Sequence, residues 1–104
     1  MQYGLKDTDI QKIKQVFALY GEIKQVVIYG SRAKGNYKPA SDIDLILKGK
    51  KLNLTLQHKI ENDLDDLLLP YKMDVSIFHQ LSNSDLIEHI NRVGKVFYQK
   101  NTPL

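Results

Sequence analysis

Aspartates stand inside two apolar, alternating stretches of this sequence. Asp42 and Asp44 flank Ile43 in one stretch, and Asp74 lies in a later one. Successive side chains of a β-strand point to opposite faces, so Asp42 and Asp44 are predicted to share one face. If the two strands are neighbours, Asp74 approaches this pair from the side. Three carboxylates would then converge at one end of a sheet.

Such a cluster is unfavourable unless a positive charge offsets it, because aspartate is depleted in strands and like charges repel. At about 4 Å and an effective dielectric near 20, two unit charges interact by roughly 4 kcal/mol. Hard divalent cations with oxygen ligands relieve this repulsion, and Mg²⁺ binds in proteins through one or two carboxylates together with substrate phosphates. The alternative is that these aspartates cap strand ends or pair with Lys and Arg. The pair together with Asp74 favours the metal interpretation.

A Gly-Ser dipeptide directly after a predicted strand indicates phosphate binding. Gly30 lets backbone N–H groups approach a phosphate without a Cβ in the way, and Ser31 adds a hydroxyl donor. A helix beginning at Ser31 would favour the same phosphate through its free N–H groups. Gly-Ser alone is a common turn, so its value comes from its position before the Asp-x-Asp stretch.

The elements that must position these residues follow from periodicity, caps and breakers. The predicted order is helix, strand, loop, strand, helix, strand, helix, with a last segment that is either a short strand or a packed tail. Thr8 to Gln11 resembles a capping box, Asn53 is the predicted cap of the second long helix, and Ser82 the cap of the last. The predicted bounds are a first helix from Thr8 ending at Gly21, strands over 24–29, 42–48 and 71–78, a loop or short helix plus loop over 31–41, a helix from Asn53 ending before Pro70, a helix stopped by Gly94, and the tail 95–98.

This order predicts an α/β fold, a small mixed sheet of three to four strands flanked by helices. The connection of about 11 residues over 31–41 is short for a helical crossover, so the first two strands are expected to pair antiparallel. With 104 residues the chain is expected to form a single domain, 1–104, with no room for a second domain that holds a substrate.

Composition excludes several classes of protein. The sequence is 42% hydrophobic and 26% charged, which is typical of a folded domain, and it has no cysteine for disulfides, thiolate zinc sites or a cysteine nucleophile. No apolar run is long enough to span a membrane and no signal peptide is recognisable, so a cytoplasmic protein is expected. The three histidines show no metal-ligand spacing and are expected at the surface or an interface: His58, His79 and His89.

Charge is unevenly distributed along the chain, whose net charge is +3. Residues 24–51 hold seven basic and two acidic residues, a local +5, and residues 52–104 carry a local −2. The segment is either a solvated basic face or an anion site. We expect it to form a basic rim around the acidic residues, suited to a polyphosphate held through metal.

The stretch from Gly30 to Leu45 resembles the motif of the polymerase-β-like nucleotidyltransferases. Gly30-Ser31, ten further residues, and Asp42-Ile43-Asp44 match the spacing of that motif, and Asp74 matches the family's third carboxylate. The sequence is most similar to the minimal nucleotidyltransferase (MNT) domain proteins, and the resemblance covers essentially the whole chain in element order.

This resemblance implies a two-metal nucleotidyl transfer. Asp42 and Asp44 would hold two Mg²⁺ ions on the triphosphate of ATP, and Asp74 would complete one metal site and help deprotonate the acceptor hydroxyl. Gly30 and Ser31 would grip the phosphates. The resemblance also makes Arg32 and Lys34 candidate nucleotide contacts, although both are equally well interpreted as solvated loop cations.

The resemblance further implies an antitoxin of a toxin–antitoxin pair. Minimal nucleotidyltransferases of this kind neutralise a HEPN ribonuclease toxin by moving AMP from ATP onto one of its tyrosines, with release of pyrophosphate. Two alternatives stay open: an antitoxin that neutralises its partner by binding alone, and a small-molecule nucleotidyltransferase. Neither a membrane nor direct nucleic-acid binding is expected, and the latter would show steep salt dependence.

Overall fold

The computed structural model describes residues 1–101; residues 102–104, the end of the predicted 1–104 domain, lie outside the described residues. The predicted order of elements is confirmed, with a short second helix inside the predicted loop and a fourth strand at the end. The elements are α1 Asp7–Ala18, β1 Gln25–Tyr29, α2 Gly30–Lys34, β2 Ile43–Lys48, α3 Leu54–Asp65, β3 Met73–Ile77, a 3₁₀ turn Phe78–Gln80, α4 Ser84–Val93 and β4 Lys95–Gln99.

The sheet is mixed and has the strand order β3-β2-β1-β4. β1 pairs antiparallel with both β2 and β4, which confirms the predicted antiparallel pairing of the first two strands. β2 and β3 pair in parallel, with α3 as the crossover between them. The predicted fold class, a small mixed sheet flanked by helices, is therefore confirmed.

The two faces of the sheet are covered by different helices. On one face, α1 and α3 pack against the odd-numbered side chains of β2 and their neighbours, forming the main core. On the other face, Ile90 of α4 packs against Val27, Tyr29 and Ile46. Alternation along β2 thus places Ile43, Leu45 and Leu47 in the main core and turns Asp44 toward the α4 face.

Local capping differs from the sequence prediction at two of three helices. Asn53 caps α3 as predicted, since its side chain accepts a hydrogen bond from Leu56 N at 2.9 Å. The predicted capping box at Thr8 is wrong, because α1 already begins at Asp7 and its N-cap Lys6 makes no side-chain cap bond. The cap of α4 is Asn83, which accepts from Leu86 N at 3.1 Å, and not the predicted Ser82.

The ends of α1 and β3 differ from the predicted bounds, and α1 ends at Ala18, before the predicted Gly21. α3 ends at Asp65, before Pro70 as predicted, and the chain leaves the helix through Leu68, which has a positive φ of 55° and is 88% exposed. β3 ends at Ile77, since Phe78 starts the 3₁₀ turn. Within residues 1–101, none of the helices combines the length and the apolar composition that a membrane span requires.

Candidate active site

The sheet aligns three polar side chains in one row across neighbouring strands. Asp44 of β2 is in register with Asp74 of the parallel strand β3 and with Tyr29 of the antiparallel strand β1. Asp42 lies one residue before β2 begins. The predicted approach of Asp74 to the Asp-x-Asp pair therefore follows from the strand order, in which β2 has β1 on one side and β3 on the other.

The carboxylates of Asp42 and Asp74 lie near enough to Asp44 for their charges to act on it. The pKa of Asp44 is raised from its ordinary value, first by burial and then by the negative charges of Asp74 and Asp42; His89 acts in the opposite direction. The ion pairs found in residues 1–101 join Met1 to Asp7 and Arg92 to Glu88, so they leave the three aspartates without a basic side chain. Their repulsion is therefore not relieved by Lys or Arg in the described chain.

Gly30 occupies a position that only glycine fits. Its φ is +73°, in the left-handed region that other residues rarely adopt, and a Cβ built on it would overlap Oδ2 of Asp44. The backbone of Gly30 is thus held directly against the carboxylate of the central aspartate. Ser31, the second residue of α2, is half-buried beside it. The turn from β1 into α2 and the entry of β2 form one continuous site.

Tyr29 and His89 also belong to this site, although no motif in the sequence predicts it. The two rings lie edge to face, with centroids 6.2 Å apart. Burial, followed by the charges of Asp74 and Asp44, raises the pKa of Tyr29 to about 12, so its hydroxyl stays protonated at neutral pH. His89, which was expected at the surface or an interface, is half-buried beside Tyr29. The signal was its spacing with Leu86, Ile90 and Val93 on the sheet-facing side of α4.

Arg32 is placed differently from either sequence interpretation. It is 2% exposed, so it is not a solvated loop cation and little of it can be reached by a ligand. Its guanidinium donates to the carbonyl of Tyr3 at 2.9 Å, to that of Pro39 at 3.2 Å and twice to that of Ser41, at 2.9 and 3.0 Å. It also lies 5.4 and 5.3 Å from the ring centroids of Tyr37 and Tyr71. These hydrogen bonds to Pro39 and Ser41 therefore fix the position of the loop that precedes Asp42.

The basic segment 24–51 does not form a single rim around the aspartates. Lys24 precedes β1 and Lys50 and Lys51 follow β2, whereas Gly30 follows β1 and Asp42 precedes β2. Because β1 and β2 are antiparallel, the first group lies at the opposite end of the sheet from the second. The predicted basic rim is corrected accordingly. Of the segment's basic residues, those between β1 and β2 (Arg32, Lys34 and Lys38) remain near the acidic end.

The carboxylate oxygens of Asp44 and Asp74 suit a hard divalent cation that binds together with a phosphate ligand. Within residues 1–101, no group of three or more His, Cys, Asp or Glu side chains is gathered closely enough to form a complete metal site by itself. Asp44 and Asp74 are nevertheless register neighbours without a basic partner. Mg²⁺ is commonly held by one or two carboxylates plus the phosphates of a substrate, so a complete protein cage is not required.

Comparison with known proteins identifies the family. The family model described as polymerase beta, nucleotidyltransferase matches residues 11–103. Since this match spans most of the chain, the protein belongs to the polymerase β nucleotidyltransferase family, and the predicted resemblance is confirmed at that level. None of the curated proteins matches the chain significantly.

Solved structures of toxin–antitoxin complexes share the fold. A chain of a toxin–antitoxin complex with AMP-PNP superposes with a TM-score of 0.70 at 18% identity, covering 92% of this chain and 75% of that one. A chain from the complex of the tri-AMPylated Shewanella oneidensis HEPN toxin with its MNT antitoxin gives 0.68 at 15%, covering 92% and 74%. An MntA–HepT toxin–antitoxin structure gives 0.67 at 15%, covering 91% and 74%. At these identities, the likeness establishes the fold.

Proposed function

We propose that this protein is an Mg²⁺-dependent protein adenylyltransferase that acts as a cytoplasmic antitoxin. It transfers AMP from ATP to a tyrosine hydroxyl of a HEPN ribonuclease toxin and thereby neutralises that toxin. The observation that carries the proposal is the row of Asp44 and Asp74 with Gly30 held against Asp44. Membership of the nucleotidyltransferase family and the fold shared with an MNT antitoxin complex support it.

The metal ligands in this proposal are Asp42, Asp44 and Asp74. When bound, two divalent cations would neutralise phosphate charge and stabilise the oxygens that attack and leave the α-phosphorus. The half-buried position of Asp44 makes it the central ligand, because its charge is the least solvated of the three and gains most from a cation. Asp42 and Asp74 are exposed and flank it.

The nucleotide in this proposal is held by the turn between β1 and α2. Gly30 allows its backbone to approach the triphosphate, and Ser31 supplies a hydroxyl and a backbone N–H at the start of α2. Arg32 holds the following loop through its bonds to Pro39 and Ser41 and so positions Asp42. It acts through that loop, without direct contact to the phosphates.

The proposed transfer forms one bond to the α-phosphorus and breaks another. The acceptor oxygen bonds to the α-phosphorus, the bond from that phosphorus to the oxygen bridging the α- and β-phosphates breaks, and pyrophosphate leaves. Asp74, exposed on the edge strand β3, accepts the proton of the acceptor hydroxyl. The acceptor can approach this edge from a partner protein.

The mass of the partner after co-expression tests this function. With the wild-type protein, we expect the HEPN partner to carry one or more AMP units on tyrosine, located by peptide mass spectrometry. Asp44→Asn and Asp74→Asn should each abolish the adduct. Asp65→Asn, the same chemical change on the exposed side of α3, should leave it intact. An unmodified partner in a stable complex with the wild-type protein would refute the transfer.

A second candidate is an antitoxin that neutralises its partner by binding alone. Structures of toxin–antitoxin pairs that share the fold favour it, because they show such a chain in a complex with its toxin. Growth of cells that express the toxin separates the two functions. If the Asp44→Asn, Asp74→Asn double variant protects cells as well as the wild type, binding suffices; if protection is lost while the complex still forms, catalysis is required.

A further inference from the structure

The end of the sheet opposite the aspartates gathers lysines from three separate segments. β1 runs antiparallel to both of its neighbours, so the residues before β1, after β2 and after β4 meet at one end. Backbone hydrogen bonds join these segments, from Lys24 N to the Lys48 carbonyl at 2.8 Å and from Lys100 N to the Lys24 carbonyl at 2.9 Å. The topology therefore brings together lysines that are far apart in the sequence.

These segments line a cavity of about 660 Å³ that is open to solvent on one side. This is within the usual range of pockets that bind small molecules, roughly 300–1,000 Å³. Four lysines and one glutamate line it, which gives the lining a net charge of +3. The lining residues are Gly21, Glu22, Lys24, Lys50, Lys51 and Lys100.

One of the four ammonium groups is fixed in place and acts on another. Lys100 Nζ donates to the carbonyl of Gly21 at 2.9 Å, which holds its charge at the wall of the cavity. The proximity of Lys100 lowers the pKa of Lys24, and Glu22 offsets this only in part. Lys24 and Lys100 therefore repel each other in the free protein, and an anion between them would relieve this repulsion.

We propose that this cavity is a second anion site, which binds a multivalent phosphate ligand independently of metal. Four point charges around one concavity match an anion with several charges close together, whereas a single carboxylate would leave most of the lysines uncompensated. Lysine binds phosphate as a mobile point charge, without the fixed planar geometry of arginine. The five residues of β1 separate this site from the aspartate row by roughly 17 Å. The site therefore does not rest on the proposed transfer.

Phosphate of this chemistry has two sources, a free polyphosphate or the phosphodiester chain of a nucleic acid. Titration calorimetry with excess EDTA and either inorganic triphosphate or a short single-stranded oligonucleotide distinguishes them. We expect metal-free binding to weaken steeply as salt is added. Saturable binding of triphosphate at the same affinity as the oligonucleotide identifies a polyphosphate site. Markedly tighter binding of the oligonucleotide identifies a phosphodiester site.

Two matched double variants test whether the phosphate ligand binds in this cavity. Lys24→Gln with Lys51→Gln removes two charges from the cavity and should weaken binding by roughly tenfold or more. Lys12→Gln with Lys59→Gln removes the same charge from exposed positions on α1 and α3 and should change affinity by less than about twofold. Equal losses in both pairs, or no binding of either probe to the folded wild type, would overturn the proposal.

Discussion

At the scale of single residues, the contact between Gly30 and Asp44 determines the geometry of the candidate site. The Gly30→Ala variant suffers both a left-handed φ and an overlap with the Asp44 carboxylate. We expect it to lose about 2–3 kcal/mol of unfolding free energy and to lose Mg²⁺-dependent ATP binding, because the carboxylate must move. Urea unfolding and nucleotide titration measure the two effects.

Gly35 provides the matched control for this variant. It also has a left-handed φ, +89°, but a Cβ added there meets nothing within 4 Å. The Gly35→Ala variant should therefore lose only the strain, about 1 kcal/mol, and keep nucleotide binding. Equal effects of both variants on ATP binding would show that contact with Asp44 is irrelevant.

The raised pKa of Asp44 predicts that the free energy of unfolding falls as the pH rises. Because its pKa in the folded protein is raised above the ordinary value of 3.8, the folded state binds a proton more readily than the unfolded state. This group therefore destabilises the metal-free fold as pH rises from 3.8 through the folded pKa, and the penalty is complete above it. We expect Asp44→Asn to be more stable than the wild type at pH 7, measured by urea unfolding.

Measurements at low pH provide the control for this prediction. The stability difference between Asp44→Asn and the wild type should shrink toward zero as the pH falls below 3.8, where both side chains are neutral. Added Mg²⁺ should stabilise the wild type but not the variant. A wild type that is more stable than Asp44→Asn at pH 7 without metal would contradict the electrostatic account.

The structural role of Arg32, which is buried and bonded to main-chain carbonyls, could not be predicted from the sequence. A basic side chain after Gly-Ser is compatible with a phosphate contact, and only the tertiary fold shows its burial between Tyr37 and Tyr71. We expect Arg32→Gln to lose about 2–4 kcal/mol of stability, because main-chain carbonyls lose a charged donor. Lys34→Gln, on the exposed side of the same helix, should be neutral in the same urea experiment.

At the scale of elements, the strands were the most predictable part of the chain. Runs such as Val26 to Tyr29 are β-branched or aromatic and buried, and alternation alone placed Asp44 on the face opposite Leu45. The register of Asp44 with Asp74 was not predictable in the same way. It depends on the parallel pairing of β2 with β3, which α3 creates as a crossover.

Helix starts were predicted less well, because several residues compete for each cap. Of the three predicted N-caps, only Asn53 is also the N-cap in the structure. Thr8 fits a capping box, but the acidic residues Asp7 and Asp9 already suit the first turn of a helix that begins one residue earlier. His89 was missed for a related reason: the side of α4 that faces the sheet is defined only once α4 packs on it.

A pair of variants tests these cap assignments. We expect Asn53→Ala to reduce the unfolding free energy by about 1 kcal/mol, because Leu56 N loses its acceptor. Thr8→Ala should have an effect within about 0.5 kcal/mol, since Thr8 lies within α1 and is exposed. Comparable losses in both variants, measured by urea unfolding, would argue that α1 begins at Thr8 after all.

At the scale of the whole molecule, the sheet separates two kinds of charge. Carboxylates meet at one end, where β1 ends and β2 and β3 begin, and lysines meet at the other. The local +5 of residues 24–51 therefore belongs to two different sites. Sequence distance could not reveal this, because Lys24 and Gly30 are six residues apart in the chain but lie at opposite ends of a strand.

We propose that the acidic end of the sheet supports transfer of a nucleotidyl group. The most direct measurement incubates the protein and the proposed HEPN partner with ATP labelled at either the α- or the γ-phosphate, with Mg²⁺ or with EDTA. We predict that the partner becomes labelled only from α-labelled ATP and only with Mg²⁺, and that Asp44→Asn eliminates the label. Label from the γ-phosphate, or no label from either position in a complex that forms, would contradict the account.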